Sequence, residues 1–183
     1  DWATVQNSMD NLISIMQAES TLKRVSLRLF ARILIKGNPE KENDGITPAS
    51  YNYTYNHLKN SPPGDEILKL IDKSSEDKTV ANLEAYMRPH KDNYIYGLFY
   101  YSHPYYSYGA LKNVKVQRRL TSDLLDISYT SGDPGIAYNT VSILMHEFVE
   151  EYRRIRYGET DKVIKYFEEE LKRIGKKLNS EEE

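Results

Sequence analysis

His146 and Glu147 stand side by side in a stretch of helical spacing, and they are the nearest this sequence comes to a metal-hydrolase signature. The HExxH pattern needs a second imidazole one helical turn on, so that two ring nitrogens reach the same zinc ion. That position holds Glu150, no histidine follows, and the pair reads as ordinary helix surface. Only four histidines are present: His57, His90, His103 and His146. Serines and aspartates are plentiful, but no G-x-S-x-G elbow, P-loop or G-x-G-x-x-G run sets up a nucleophile or a phosphate cradle. Cysteine is absent altogether, which removes thiol nucleophiles and thiolate ligands. No catalytic residue, metal ligand or cofactor is therefore assigned, and the chain is not expected to be an enzyme.

Two other groups of residues could make contacts. Lys112, Lys115, Arg118 and Arg119 form one basic cluster and Arg153, Arg154 and Arg156 another. Either suits a phosphate or an anionic sugar, although pairing with Glu150, Glu151 and Glu159 as exposed ion pairs is the stronger reading. Tyrosine is the compositional outlier, with 16 in the chain, and Tyr94, Tyr96, Tyr100, Tyr101, Tyr105, Tyr106 and Tyr108 crowd one short stretch. A tyrosine ring stacks on a sugar face, and it also fills a core while its hydroxyl finds a partner. Both readings make Tyr100, Tyr101, Tyr105 and Tyr106 candidate glycan or partner contacts.

The elements that would carry these groups follow from periodicity. Val5, Met9, Leu12, Ile13 and Met16 recur at helical spacing, and Leu22, Val25, Leu29 and Ile33 form a second stripe between a capping Ser20 and Gly37. The polar run Asn38 to Gly45 predicts an exposed loop. Thr47-Pro48 predicts a helix start, and Tyr51, Tyr55 and Leu58 then share a face up to the break at Ser61-Pro-Pro-Gly64. Short helices are predicted around Ile67, Leu68 and Ile71 and from Thr79 to Met87. Tyr94 to Tyr108 fits no period and predicts a strand-like hairpin or a packed irregular loop. Val114 and Val116, then Leu125, Ile127 and Tyr129, alternate with polar residues as half-buried strands do.

Gly132-Asp133-Pro134 is the sharpest boundary, joining a turn glycine, a capping carboxylate and a proline where a missing N–H costs nothing. A long helix is predicted from there, with Ala137, Val141, Leu144, Met145, Phe148, Tyr152 and Ile155 toward the core. A last helix from about Glu159 carries Val163, Phe167, Leu171, Ile174 and Leu178 in a narrow apolar seam of the kind that packs on a neighbouring helix. The fold class expected is α+β, predominantly helical, with a small sheet and a long C-terminal helix truncated here.

With 183 residues, 39% hydrophobic and 28% charged, the chain has the size and composition of one globular domain with a core large enough to need no staple. A net charge of −2 lacks the broad basic field of a nonspecific nucleic-acid binder, and no nucleic-acid partner is expected. No run is long and apolar enough for a membrane span.

The segment from Leu124 through Asp133, Pro134 and Ala137, followed by Asn139, Thr140 and then Phe148 to Tyr152, resembles the periplasmic domain of polysaccharide chain-length determinants, the Wzz-type polysaccharide copolymerases. In that family a strand of the form I-x-I-x-x-x-S-x-D-P leads into a helix that carries Ala and ends near a Tyr. Asp133, Pro134, Ala137 and Tyr152 match in place. The resemblance continues through Glu159 to Leu178, where the family has its charged helix returning to the membrane, and more weakly through Met9 to Phe30. Residues 38–112 match no pattern of the family and read as a subgroup-specific insert, in the style of Bacteroidetes members, within a single domain spanning 1–183.

The resemblance implies the periplasmic part of an inner-membrane protein, held by membrane segments outside residues 1–183. It implies a homo-oligomer, with Val163, Phe167, Leu171 and Ile174 as candidate seam, that meets a polysaccharide polymerase and its lipid-linked glycan. The implied function is control of the chain length of an O-antigen, capsule or exopolysaccharide. Two rival readings are a carbohydrate-binding module using Tyr94 to Tyr108 as a platform and a cytosolic helical adaptor that grips a peptide.

Overall fold

The computed structural model describes residues 2–89, 91–120, 124–151, 153, 169, 170, 172 and 173. Tyr152 and the seam residues Val163, Phe167, Leu171 and Ile174 lie outside them, as do the side chain of Val5 and Ile155 of the predicted core face. Within the described residues the chain is mostly helical, with one small antiparallel sheet, the α+β class expected.

Helix α1 (Trp2–Gln17) is separated from α2 (Glu19–Lys36) by a single extended residue, Ala18. Because α1 runs up to that residue, Ser20 already lies in the first turn of α2 and does not cap it. Leu22, Val25, Leu29 and Ile33 are all buried as their spacing predicts, and so are Ser26, Leu27, Phe30 and Ala31. A helix buried on so much of its circumference is the centre of a domain. Its remaining stripe carries Arg24, Arg28 and Arg32 at intervals of four.

Around α2 pack α3 (Pro48–Asn60), α4 (Gly64–Leu68), α5 (Glu76–Met87), α6 (Tyr94–Tyr100) and α7 (Tyr108–Leu111). Short side chains start most of them by accepting a hydrogen bond from a first-turn amide. Thr47 does so from Ser50, Ser75 from Lys78, Asn93 from Tyr96 and Ser107 from Ala110. Three of these caps correct the sequence reading. Ser75 begins α5 before Thr79, and Asn93 and Ser107 turn the tyrosine-rich stretch into two helices in place of a hairpin or an irregular loop. Ile95, Leu98 and Phe99 supply the buried side of α6. Residues 38–112 contribute Ile46, Leu58, Ile67, Leu83, Phe99 and Tyr106 to the same core as α2.

Strands β1 (Lys115–Arg118) and β2 (Leu125–Ser128) pair antiparallel, with Val116 opposite Ile127. Residues 134–151 are helical and are labelled α8. Asp133 caps this helix through its Oδ1, 3.0 Å from the Ile136 amide, and its Oδ2 accepts from the Thr47 hydroxyl at 2.9 Å. Asn139 donates to the Asp44 carbonyl at 3.2 Å, so the start of α8 is fastened to the loop before α3. Gly135 is required at that corner, because a Cβ there would come within 1.7 Å of the Gly45 carbonyl oxygen.

The core face of α8 is rotated from the one predicted. Ile136, Asn139, Thr140, Ile143, Leu144, Glu147 and Glu151 are buried, while Met145 is 53% exposed and Ala137, Val141 and Phe148 are half-buried. Apolar spacing misjudges this face because two of its inward residues are carboxylates with arginine partners. No helix among the described residues is long and apolar enough to cross a membrane.

Candidate functional site

Glu147 points into the molecule. Its Oε1 accepts from the Arg28 Nε at 2.7 Å, and Arg28 also reaches Glu76 at 3.1 Å and Asp77 at 2.8 Å. Arg24 pairs with both Glu147 and Glu151, and Arg32 binds Glu76 through both nitrogens of its fork. One arginine row thus joins α2 to α5 and α8. Burial alone would lower the Arg28 pKa, but the hydrogen bonds it donates to Glu147, Asp77 and Glu76 outweigh it and raise the pKa. Burial likewise pushes Glu76 up, and its bonds to Arg32 and Arg28 bring it below the usual carboxylate range. Such a network holds helices in one register. The reading of His146-Glu147 as plain helix surface is correct for the exposed His146 and wrong for Glu147, whose partners lie far away in sequence.

The basic clusters are mostly surface. Arg119 makes a two-pronged pair with Asp126 across the hairpin, and Arg153 bonds Glu150 at 3.2 Å. Lys112 and Lys115 are exposed. Arg154 and Arg156 lie outside the described residues.

The tyrosines divide into three environments. Tyr106 is fully buried: its ring meets Phe30 edge-on at 5.5 Å, its hydroxyl bonds Thr54, and its carbonyl accepts from Ser26 at 2.6 Å. It is a core residue and is removed from the candidate contacts, since the apolar body of a tyrosine buries well once its hydroxyl is satisfied. Burial raises its pKa and that of Tyr94, keeping both phenols neutral.

The second environment lies between α3 and the turn after α6. Tyr53 and His57, one turn apart on α3, stack with ring centres 6.3 Å apart, and Tyr53 meets both His103 and Tyr105 at 5.7 Å. The Tyr94 hydroxyl is 2.8 Å from the His57 Nδ1. His103 Nδ1 accepts from the Tyr105 and Tyr106 amides, so the ring must be unprotonated at that nitrogen to do its structural work. Burial, aided by the nearby His57, lowers the His103 pKa to about 4. Beside this cluster, His57, Asn93, Tyr94, Gly97 and Tyr101 border a groove of about 290 Å³.

The third environment is the outward side of α6. Tyr96 and Tyr100 stack at 4.3 Å with planes 27° apart, and Tyr101 stands edge-on to Tyr96 at 6.2 Å. Tyr100 is 40% and Tyr101 60% exposed. Of the four candidates, then, Tyr100 and Tyr101 present open ring area, Tyr105 is half-buried against Tyr53, and Tyr106 is internal. The sequence reading passed over Tyr53, His57 and His103. The signal for the first two was their spacing of four on a predicted helix.

Among the described residues no three histidine, aspartate or glutamate side chains are grouped to hold a metal ion. The two imidazoles of the aromatic cluster are engaged by Tyr94 and by backbone amides. The chain matches no protein-family model, no curated protein and no solved structure.

Proposed function

We propose that residues 1–183 are the periplasmic domain of a Wzz-type polysaccharide chain-length determinant, a homo-oligomeric, membrane-held protein that sets the modal length of a surface polysaccharide without cutting or joining sugars itself. The observation that carries the reading is local. Strand β2, the capping Asp133, Pro134 in the first turn and Ala137 follow one another in the order of the family motif, and the helix they start is anchored to the central α2 by Glu147 and Glu151. Asp133 and Pro134 have structural reasons to be there, since one accepts the Ile136 amide and the other spares a donor.

The test is deletion of the coding sequence in the source organism, followed by size separation of its extracted surface polysaccharide. Loss of the modal band, restored by the intact gene, is the expected result; an unchanged length distribution overturns the reading. A second reading, a carbohydrate-binding module, draws on the open faces of Tyr100 and Tyr101. It is favoured if glycan binding occurs and the length distribution stays the same after deletion.

A further inference from the structure

One groove, of about 220 Å³, is built differently from the others. Lys23 comes to it from α2, Arg88 from the end of α5 and Lys91 from the following turn, while Tyr96 and Tyr100 form one wall. Met87 is buried in its lining, Glu84 is the carboxylate that borders it, and Glu19 hydrogen-bonds the Tyr100 hydroxyl at the wall. Among the described residues none of the three cations has an ion-pair partner, in contrast to Arg24, Arg28 and Arg32 on the same central helix as Lys23. Three positive groups against Glu84 and Glu19 leave the groove cationic by one charge in a chain whose net charge is −2.

The aromatic wall adds a shape requirement. Tyr96 and Tyr100 are already stacked on one another, so they form a preset flat edge that loses little freedom when a ring settles against it. Burial and the neighbouring Glu19 raise the Tyr100 pKa, so its phenol stays neutral and does not repel an anion. A simple inorganic anion would use the cations and leave the wall idle. A neutral sugar would use the wall and leave the excess positive charge unmatched. The ligand that uses both is a ring carrying a carboxylate.

We infer that this groove binds an acidic sugar residue, a uronate within a glycan, with the carboxylate taken by Lys23, Arg88 and Lys91 and the sugar face lying against Tyr100. The choice of a saccharide over another ring-bearing anion rests on the function proposed above; the demand for negative charge does not. The site is small, suited to one residue of a chain, and each of its polar contacts is exposed enough to exchange, which fits weak and repeated engagement of a moving polymer.

Titration of the isotope-labelled chain with glucuronate-containing oligosaccharide, followed by amide NMR, tests the inference. Shifts at Lys23, Arg88, Tyr96 and Tyr100 are expected, weakening as salt is raised. Arg88→Glu and Tyr100→Ala each lower the affinity about tenfold or more, the loss expected for one charge-assisted or stacking contact. Lys115→Glu, the same charge change on β1, leaves it within about twofold. Equal shifts with a neutral glucan, binding of inorganic phosphate alone, or tighter binding of a nucleoside monophosphate than of the uronate each overturn it, as does the absence of shifts in a folded chain. Binding with an unaltered polysaccharide length on deletion refutes the function and spares the site. An altered length with no uronate binding does the opposite.

Discussion

Helix α2 works against two unlike surfaces. On one flank Arg24, Arg28 and Arg32 meet Glu76, Asp77, Glu147 and Glu151 of α5 and α8; on another, Phe30 meets Tyr94 and Tyr106. The aromatic flank gains free energy from area removed from water, which depends little on direction and tolerates a swap of similar size. The ionic flank gains little net energy from its charges, because each must first be stripped of water, yet it penalises any arrangement that leaves one alone. One flank therefore supplies cohesion and the other fixes which helices sit where.

Three measurements can break or sharpen that contrast. The largest effect is expected for Glu147→Ala, which takes from Arg28 and Arg24 the buried carboxylate they share, leaves them with Glu76, Asp77 and Glu151, and should cost about 3–5 kcal/mol in urea unfolding. A loss near that of an exposed pair, under about 1 kcal/mol, would show that the ionic flank orders nothing. Acid separates the flanks next. His103 stays neutral when folded down to a pKa of about 4, whereas the unfolded chain takes up the proton near 6.5, so the unfolded state holds more protons between those values. Stability should then fall by about 3 kcal/mol as the pH drops from 6.5 to 4, and no further below 4 on this account. His103→Asn, whose side-chain oxygen can accept from the same two amides, should flatten that slope while leaving the carboxylate-driven loss at lower pH, where Glu76 is protonated. If both proteins trace one curve, the aromatic flank is not the acid-sensitive one. The smallest change is Tyr106→Phe, which keeps the ring against Phe30 and removes only the bond to Thr54. About 1 kcal/mol is expected from thermal or urea unfolding, and a loss matching that of Glu147→Ala would erase the distinction between the flanks.

The same contrast explains what could be read from the sequence. The stripe of α2, the Thr47 and Asp133 caps and the two strands around Val116 and Ile127 are local patterns, and each stands where its spacing indicates. The arginine network was hidden because its partners are 48 and 119 residues apart, a separation at which no periodicity operates. The same carboxylates disguised the inner face of α8. The tyrosine stretch was visible by composition and opaque in direction. A residue that is apolar in body and polar at the tip gives no contrast between inside and outside, so Tyr106 could not be told from Tyr100 until Thr54 and Phe30 were beside it. The groove shared by Lys23, Arg88 and Tyr100 joins α2 to the distant pair α5 and α6, and its parts look unrelated until those elements are folded together.

The fastening of α8 to the loop before α3 also bears on how the chain is made. Thr47 and Asp133 are 86 residues apart, and Asp44 and Asn139 are 95 apart. At ribosomal speeds of about 5–20 residues per second, the earlier half of this corner waits roughly 5 to 20 s for the later half to emerge. Until then the Thr47 hydroxyl and the Asp44 carbonyl are held by water, and the arginine row of α2 has Glu76 and Asp77 but lacks Glu147. The nascent chain thus passes through an interval in which its central helix is dressed on one side only, and the arrival of residues 133–151 closes both the corner and the row.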